Sequence, residues 1–482
     1  MQFNTYIFIM IYLPVLITGY FLINKISLRM GKFFLIAGNM LFYLYGGFDT
    51  AFILGISILF NFAVAKILER NVKANKIIFL LAVITNLGML FYFKYCNFFI
   101  ENINSFLKME FELKNALFPL GISFFTFQQI SYLVCVYRNE IENICGSDYL
   151  AYITYFPKLI MGPLIEPADF MVQLNDKKLK SINWEHMANG IKLFSFGLFK
   201  KMVLADTFST AVNWGYTNID SATSMDWILV TLFYTFQIYF DFSGYTDMAI
   251  GISDMLNIEL PMNFNSPYKA LTIRDFWKRW HMTLTGFLTK NIYIPLGGNR
   301  NGKIRTCLNT FLVFLASGIW HGANWTFILW GALHGLLHIL DRTFAKYLER
   351  LIEPVRWMGT FLAVNLLWLL FRSDSIAQYH VILYNIFTFQ DTSISDGLID
   401  CFRLPETGFL NELLHLRYID TRVRGVWMLF FTFGALFLCL VPENNYKHKK
   451  KNNYFYTFLA SLAFVWSFVC LSSESVFVYF NF

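Results

Sequence analysis

The stretch FLVFLASGIWHGANWTFILWG, residues 311–331, is apolar enough to lie in a bilayer, yet it holds one histidine between two indoles, Trp320-His321-Gly322-Ala323-Asn324-Trp325. A neutral imidazole can be buried in such surroundings at moderate cost; a lysine or an aspartate could not easily be. An imidazole also titrates near neutral pH, so it can take and return a proton during a group transfer. A histidine in an apolar helix can equally be a hydrogen-bonded core residue, and these residues alone leave both readings open.

Working outward, the whole chain shares this character. It has 482 residues, of which 56% are hydrophobic, 19% aromatic and only 15% charged, with a mean hydropathy of +0.47. Soluble domains carry roughly 25% charged residues. Several runs reach the roughly 20 apolar residues that a spanning helix requires. Candidate spans are 5–24, 33–49, 51–67, 77–95, 116–137, 189–206, 226–250, 306–322, 324–343, 357–372, 425–441 and 454–471. The expected fold is therefore an all-α polytopic membrane protein, a single membrane domain over 1–482. The apolar patch 151–167 is broken by Pro157, Gly162, Pro163 and Pro167. It reads as a re-entrant or half-spanning element that needs protein around it.

The net charge is +7, and the basic residues cluster. Lys25, Arg29 and Lys32 follow the first span; Lys66, Arg70, Lys73 and Lys76 follow the third. Lys177, Lys178 and Lys180 precede 189–206, Lys200 and Lys201 lie near its end, and Lys447, Lys449, Lys450 and Lys451 precede the last span. The positive-inside rule makes these loops cytoplasmic, with the N-terminus outside and the loop 94–115, carrying Glu101, Glu110 and Glu112, outside as well. The clusters are a topology signal rather than a nucleic-acid patch. No basic residue precedes the first apolar run and no small-residue cleavage site follows it, so no cleavable signal peptide is expected. The seven cysteines are scattered and form no C-x-x-C, which indicates neither a zinc knuckle nor a disulfide framework.

The clearest departure from apolarity is 259–305. Pro261 and Pro267 break any early helix; Thr272 is placed to cap one from Ile273, with Asp275 in its first turn. Trp277, Trp280 and Leu284 recur at three- and four-residue spacing, and Arg274, Lys278, Arg279 and His281 occupy other positions, the pattern of an amphipathic segment at the cytoplasmic interface. The region 374–424 is also irregular and is left unassigned. Gly297 to Lys303 has the spacing of a phosphate loop, but Ile304 stands where Ser or Thr is needed; it reads as a flexible basic turn. No G-x-S-x-G and no H-E-x-x-H occurs. His334 and His338 share a helix face at ligand spacing, without a nearby carboxylate to complete a metal site. Asp241 and Asp247 fall in the apolar stretch 239–247, where ionisable groups are functional candidates by default. Hydrogen bonding to a backbone break near Gly244 is the competing reading.

The motifs FPLGISFFTFQQISYLV (118–134), YFPKLIMGPL (155–164), YFDFSGYTDMAIG (239–251), NFNSPY (263–268), DFWKRWHMTL (275–284), NIYIPLGGNRNG (291–302) and SGIWHGANWTFILWGALHG (317–335) together resemble the membrane-bound O-acyltransferase superfamily. Within it they look like the bacterial branch that acetylates alginate and peptidoglycan, with the D-alanyl transfer protein of teichoic acid assembly a more distant relative. The resemblance covers 118–335; the flanks carry only hydropathy. One departure is Cys135, in SYLVCVYR, where the family commonly has an acidic residue.

The resemblance implies a ring of about 10–12 transmembrane helices, thinned at its centre, with funnels from both faces meeting near His321 and His281, the positions matching the family's two characteristic histidines. It implies an enzyme of the inner (cytoplasmic) membrane, acetyl-CoA as donor substrate without a permanently bound cofactor or metal, and a separate periplasmic O-acetyltransferase as partner. In such a site His321 would deprotonate a hydroxyl or carry the acetyl group itself. Trp320 and Trp325 would exclude water. Asn324 or a backbone N–H would stabilise the oxyanion, an effect of roughly 3–4 kcal/mol in known cases. Arg274, Lys278 and Arg279 would meet the CoA phosphates, or else merely anchor the segment at the interface; Asp241 would line the substrate path. The rival classes are a transporter, which would show paired broken helices, and a non-catalytic scaffold. The acceptor is not named by the motifs. A Lys-, Ile- and Phe-rich composition, typical of an AT-rich genome, leans towards peptidoglycan over an alginate-type exopolysaccharide.

Overall fold

The computed structural model describes residues 1–71, 73–114, 118–404, 425–448 and 453–472, with Glu412 and Phe477. Lys449, Lys450 and Lys451, residues 116–117 of one expected span, and most of 405–424 lie outside these described residues. Among them every regular element is helical. The chain opens with α1 (Leu13–Ile26), entered through a π turn at Phe8–Tyr12, then α2 (Leu28–Leu44) and α3 (Phe48–Glu69). Helix α4 (Asn75–Leu90) continues through a π turn, Phe91–Tyr95, into α5 (Cys96–Leu107). The loop expected over 94–115 is therefore largely helical, because the apolar pattern gives way to a strongly amphipathic turn pattern rather than to a breaker. Helix α6 (Ile122–Tyr137) follows, then the broken element: Gly146–Thr154, Phe156–Leu159, and Pro167–Asn175. Its middle is buried in protein, as its prolines require.

The centre is built from α7 (Trp184–Phe199), which runs through a π turn at Lys200–Ala205 into α8 (Asp206–Thr217), and from α9 (Ser224–Met255). A capping box starts α9: Thr223 accepts from the Asp226 backbone N–H and Asp226 accepts from that of Thr223. Asp226 also accepts from the N–H and hydroxyl of Ser395, which ties the unassigned 374–424 region onto this helix. α7 and α9 run antiparallel with their backbones in contact: a Cβ on Gly197 would meet the Gly244 carbonyl oxygen at 2.6 Å. Because α9 is buried along nearly its whole length, it shows no amphipathic period.

The polar segment forms two short helices, α10 (Ile273–Arg279) and α11 (Met282–Leu288), rather than one interfacial helix. Thr272 caps α10 as its sequence position suggests, accepting from the Asp275 N–H. Trp277, Trp280 and Leu284 are buried in protein rather than turned to lipid, because the chain reverses between them at His281, which takes a left-handed conformation with φ 44°. The remaining elements are α12 (Gly302–His321), α13 (Trp325–Thr343), α14 (Glu353–Arg372), α15 (Ile376–Thr388), α16 (Val426–Leu440) and α17 (Tyr454–Val469).

Among the described residues four helices are long and apolar enough to cross a membrane: Phe8–Ile26, Phe48–Glu69, Asn75–Leu107 and Glu353–Arg372. α6, α16 and α17 are apolar but shorter. The motif-bearing helices sit among them with their polar groups covered by protein, the arrangement expected of an all-α polytopic membrane fold.

Candidate active site

Helices α12 and α13 form a tight hairpin, and His321 is the last residue of the first. Gly318 and Gly331 make the close approach possible: a Cβ at Gly318 would lie 2.4 Å from the Phe327 carbonyl oxygen, and one at Gly331 2.5 Å from that of Phe314. Gly322 then leaves the helix in extended backbone, and Asn324 caps α13 by accepting from the Thr326 N–H. His321 is thereby fixed at a chain reversal inside the protein, 5% exposed. Its ring stands edge-on to those of Trp320, Trp330 and Phe371, with centroids 4.9, 5.2 and 5.2 Å away. Such walls exclude water around the imidazole.

His281 reaches the same aromatic wall from the other side. Its ring centroid is 6.3 Å from that of Trp320 and 4.8 Å from that of Phe242. Its Nδ1 lies 3.0 Å from Asn263 Oδ1, an oxygen that also accepts from the Thr283 hydroxyl and N–H. An amide oxygen accepts only, so Nδ1 carries the proton and Nε2 keeps its lone pair. Among the described residues this buried Nε2 has no hydrogen-bond partner. The NFNSPY motif thus sets the tautomer of the RWH histidine.

The last turn of α12 is held from the π turn at Phe91–Tyr95. Lys94 Nζ donates to the carbonyl oxygens of Trp320 and His321 at 2.8 and 3.0 Å and to Ser123 Oγ at 3.2 Å. Tyr95 donates to the Ile319 carbonyl at 2.7 Å. Helix ends leave carbonyls without intrahelical partners, and these two side chains satisfy them.

Three cavities surround this point. A small one of about 30 Å³ is lined by His321, Trp320, Lys94, Phe124, Gly121 and Ile160. A second, of about 370 Å³, is lined by Lys94, Gly322, Asn324, Phe371, Arg372 and Asp374. A third, of about 570 Å³, holds Arg274, Lys278, Arg342, Trp277 and His338, and it reaches Ser317, one turn before His321 on α12. Lys94 and Phe118 line both of the first two.

The residues expected from the sequence divide accordingly. His321, Trp320 and His281 come together. Trp325 does not join them: it is 53% exposed, packs on Phe98 and donates to Asn102 Oδ1. Trp330 and Phe371 take the place foreseen for it. Asn324 reaches the second cavity, but its amide N–H donates to the Asp374 carbonyl at 2.8 Å and its oxygen caps α13, so it is engaged in structure rather than offered as an oxyanion donor. Asp241 is 1% exposed and bonds Lys201 at 2.9 Å, and Lys201 also bonds Asp206 at 2.8 Å. This favours the structural reading of Asp241, now with a lysine partner in place of a backbone break. Arg274 and Lys278 line the third cavity, with Arg274 braced by Asp341. Arg279 is instead paired with Asp275 at 2.9 Å and is outside that lining. His334 accepts from the Trp277 indole, and among the described residues no cluster fit to hold a metal ion occurs. Cys135 lies 3.7 Å from Glu166 Oε2, so a carboxylate is present beside it from the neighbouring element.

Lys94, Arg342 and Phe371 lie outside the quoted motifs, and Trp330, though inside 317–335, is not singled out by it. The available signal for Lys94 was a charged residue at the end of an apolar run, where ionisable groups are costly.

Residues 136–373 match the family model of the membrane-bound O-acyltransferases. The chain is 37% identical to the peptidoglycan O-acetyltransferase of Helicobacter pylori, over 100% of this chain and 97% of that protein. It is 35% identical to the probable alginate O-acetylase of Pseudomonas aeruginosa, over 78% of this chain and 73% of that one. To the teichoic acid D-alanyltransferase of Bacillus subtilis it is 26% identical, over 52% and 66%. With a match along its full length to such an enzyme and the family model over its centre, this helical membrane protein belongs to the membrane-bound O-acyltransferase family and is an O-acyltransferase.

Proposed function

We propose that the protein takes an acetyl group from acetyl-CoA at the cytoplasmic face of the inner membrane and delivers it, through His321, to an acceptor on the outer side for O-acetylation of peptidoglycan. The observation that carries the reading is the position of His321, between the basic cavity that ends one turn below it and the smaller cavities beside and beyond it. Peptidoglycan is favoured over an alginate-type polymer because the match to the relative of that name spans 100% of the chain against 78% for the alginate relative.

In this mechanism His321 takes the proton of the acceptor hydroxyl. The oxygen lone pair forms a bond to the thioester carbonyl carbon, and the carbonyl π pair moves to oxygen. Collapse of that tetrahedral centre breaks the C–S bond, and the thiolate leaves with the proton. Trp320, Trp330 and Phe371 keep water from competing for the thioester. Lys278, Arg274 and Arg342 meet the CoA phosphates. The acceptor is a small carrier hydroxyl or a residue of a separate periplasmic acetyltransferase, since a polysaccharide is too large for a cavity of about 370 Å³.

Loss of O-acetyl esters from wall peptidoglycan, and not from exopolysaccharide, in a strain lacking the gene is the test; unchanged wall esters would overturn the reading. The donor half is checked separately. Lys278→Glu and Arg342→Glu are each expected to raise KM for acetyl-CoA about tenfold, or 1.4 kcal/mol, with the penalty shrinking as salt is raised; Arg279→Glu is expected to do much less. Equal effects at all three positions would argue against the cavity as donor site. Reconstituted protein given acetyl-CoA and polymer, without a second protein, is expected to make little acetylated polymer. Efficient acetylation by the protein alone would rule out the relay.

A further inference from the structure

We infer that Lys94 is the group that stabilises the negative charge developing on the acyl oxygen during transfer, a role that rests on the acyl-transfer reading of His321 given above. The resemblance points only to the two histidines; Lys94 lies outside every motif.

Three observations converge on it. The first is charge. Lys94 Nζ is ringed by three oxygens, from Trp320, His321 and Ser123, all neutral. Three acceptors are the complement of an ammonium, which offers three N–H donors and no acceptor. Among the described residues no carboxylate lies within ion-pairing distance of it. The other interior lysines near the centre differ: Lys200 and Lys201 bond Asp247 and Asp241 directly. An ammonium at this place would face three neutral oxygens and no compensating carboxylate among the described residues.

The second is position. Lys94 and His321 line the same cavity of about 30 Å³. A space of 10–15 Å³ by this measure takes about one water, so the cavity suits a group as small as an acyl oxygen with its methyl. Ser123, the longest of the three contacts, lines it too. When the carbonyl π pair moves to oxygen, Nζ can exchange Ser123 for the oxyanion while keeping its two backbone anchors. Lys94 neither gives nor takes a proton in that step.

The third is the way the chain presents it. In a regular α-helix adjacent side chains are turned about 100° apart. The π turn at Phe91–Tyr95 lets two adjacent residues, Lys94 and Tyr95, both reach the final turn of α12. Single π turns inside helices recur at functional sites. Of the donors expected from the sequence, Asn324 or a backbone N–H, the Asn324 amide is engaged elsewhere.

A lysine at a helix C-terminus can also serve only to cap carbonyls. The two roles separate experimentally, because a glutamine keeps N–H donors for the carbonyls but has no charge. Membranes of a producing strain, which retain the native acceptor, carrying wild type, Lys94→Gln, Lys94→Met or Lys94→Arg are assayed for CoA thiol released from acetyl-CoA, with rates scaled to the monodisperse folded protein in each preparation. Loss of one oxyanion donor costs about 10²–10³-fold in kcat. Both Lys94→Gln and Lys94→Met are therefore expected to lower kcat by about that factor while KM for acetyl-CoA stays within a few-fold, and Lys94→Arg is expected to recover most of the loss. A capping role predicts the reverse pattern, with Lys94→Gln close to wild type per folded molecule. A folded Lys94→Gln or Lys94→Met within threefold of an active wild type overturns the inference and leaves the role of His321 untouched. A folded wild type that releases no thiol overturns both.

Discussion

His321→Ala protein is expected to insert and fold but to lose acyl transfer by about 10²–10⁴-fold, the usual contribution of a positioned general base. The residue is 5% exposed and ends a helix whose last carbonyls are held by Lys94 and Tyr95. Those bonds go to the backbone, so they survive the substitution and keep the turn in place. Trp330 and Trp368 stack on each other with centroids 5.9 Å apart and bound the site without the imidazole. His321→Asn retains a polar group of smaller size and should be equally inactive. The measurement is O-acetyl ester content of the product at equal expression of wild type and variant. Near-normal acetylation would mean that His321 is a core residue and that the chemistry lies elsewhere.

Lys201→Met is expected to give the largest loss of stability, about 3–5 kcal/mol, the cost of leaving a buried charge without its partner. Lys201 and Asp241 are each 1% exposed, and the lysine joins Asp241 on α9 to Asp206 at the start of α8. Removing the ammonium takes its charge away from two carboxylates, one of them almost fully buried beside the contact of α7 with α9. The double variant Lys201→Met/Asp241→Asn should recover part of the loss, since no charge then remains on the Asp241 side. Thermal unfolding in detergent, followed by size-exclusion chromatography, reads both. Equal midpoints for Lys201→Met and wild type would show that the pair contributes nothing.

Much of the periphery could be read from hydropathy, because lipid-facing helices must be apolar. Phe48–Glu69 and Glu353–Arg372 fall close to their expected spans for that reason. The centre follows a different rule. α9 carries Asp226, Asp241, Asp247 and Asp254 and is still buried, and the partners of the first three come from the π turn after α7 and from the Ser395 loop. Periodicity within one segment cannot register a partner supplied by another. The candidate site divides in the same way. His321, Trp320 and His281 were legible from their motifs. Trp325 was not, since closeness in sequence does not decide which way a helix faces: Trp330 lies five residues on, about 140° around the helix, and that rotation turns it to the imidazole while Trp325 looks out. Lys94 gave only the weak signal of one cation at the edge of an apolar run, and its placement depends on a π turn that no composition rule announces.

The contact of α7 with α9 has a consequence for how the chain is made. Gly190 lies against Gly251 and Gly197 against Gly244, so the two helices fit only as an antiparallel pair. Alone in lipid, α9 would carry four aspartates, each costing up to about 2.5–3.5 kcal/mol in a spanning helix. Lys200 would lose its Asp247 partner, and Lys201 would keep Asp206 but lose Asp241. Pairing the two strips removes part of these costs, so entry of 184–206 together with 224–255 is favoured over entry of either strip alone.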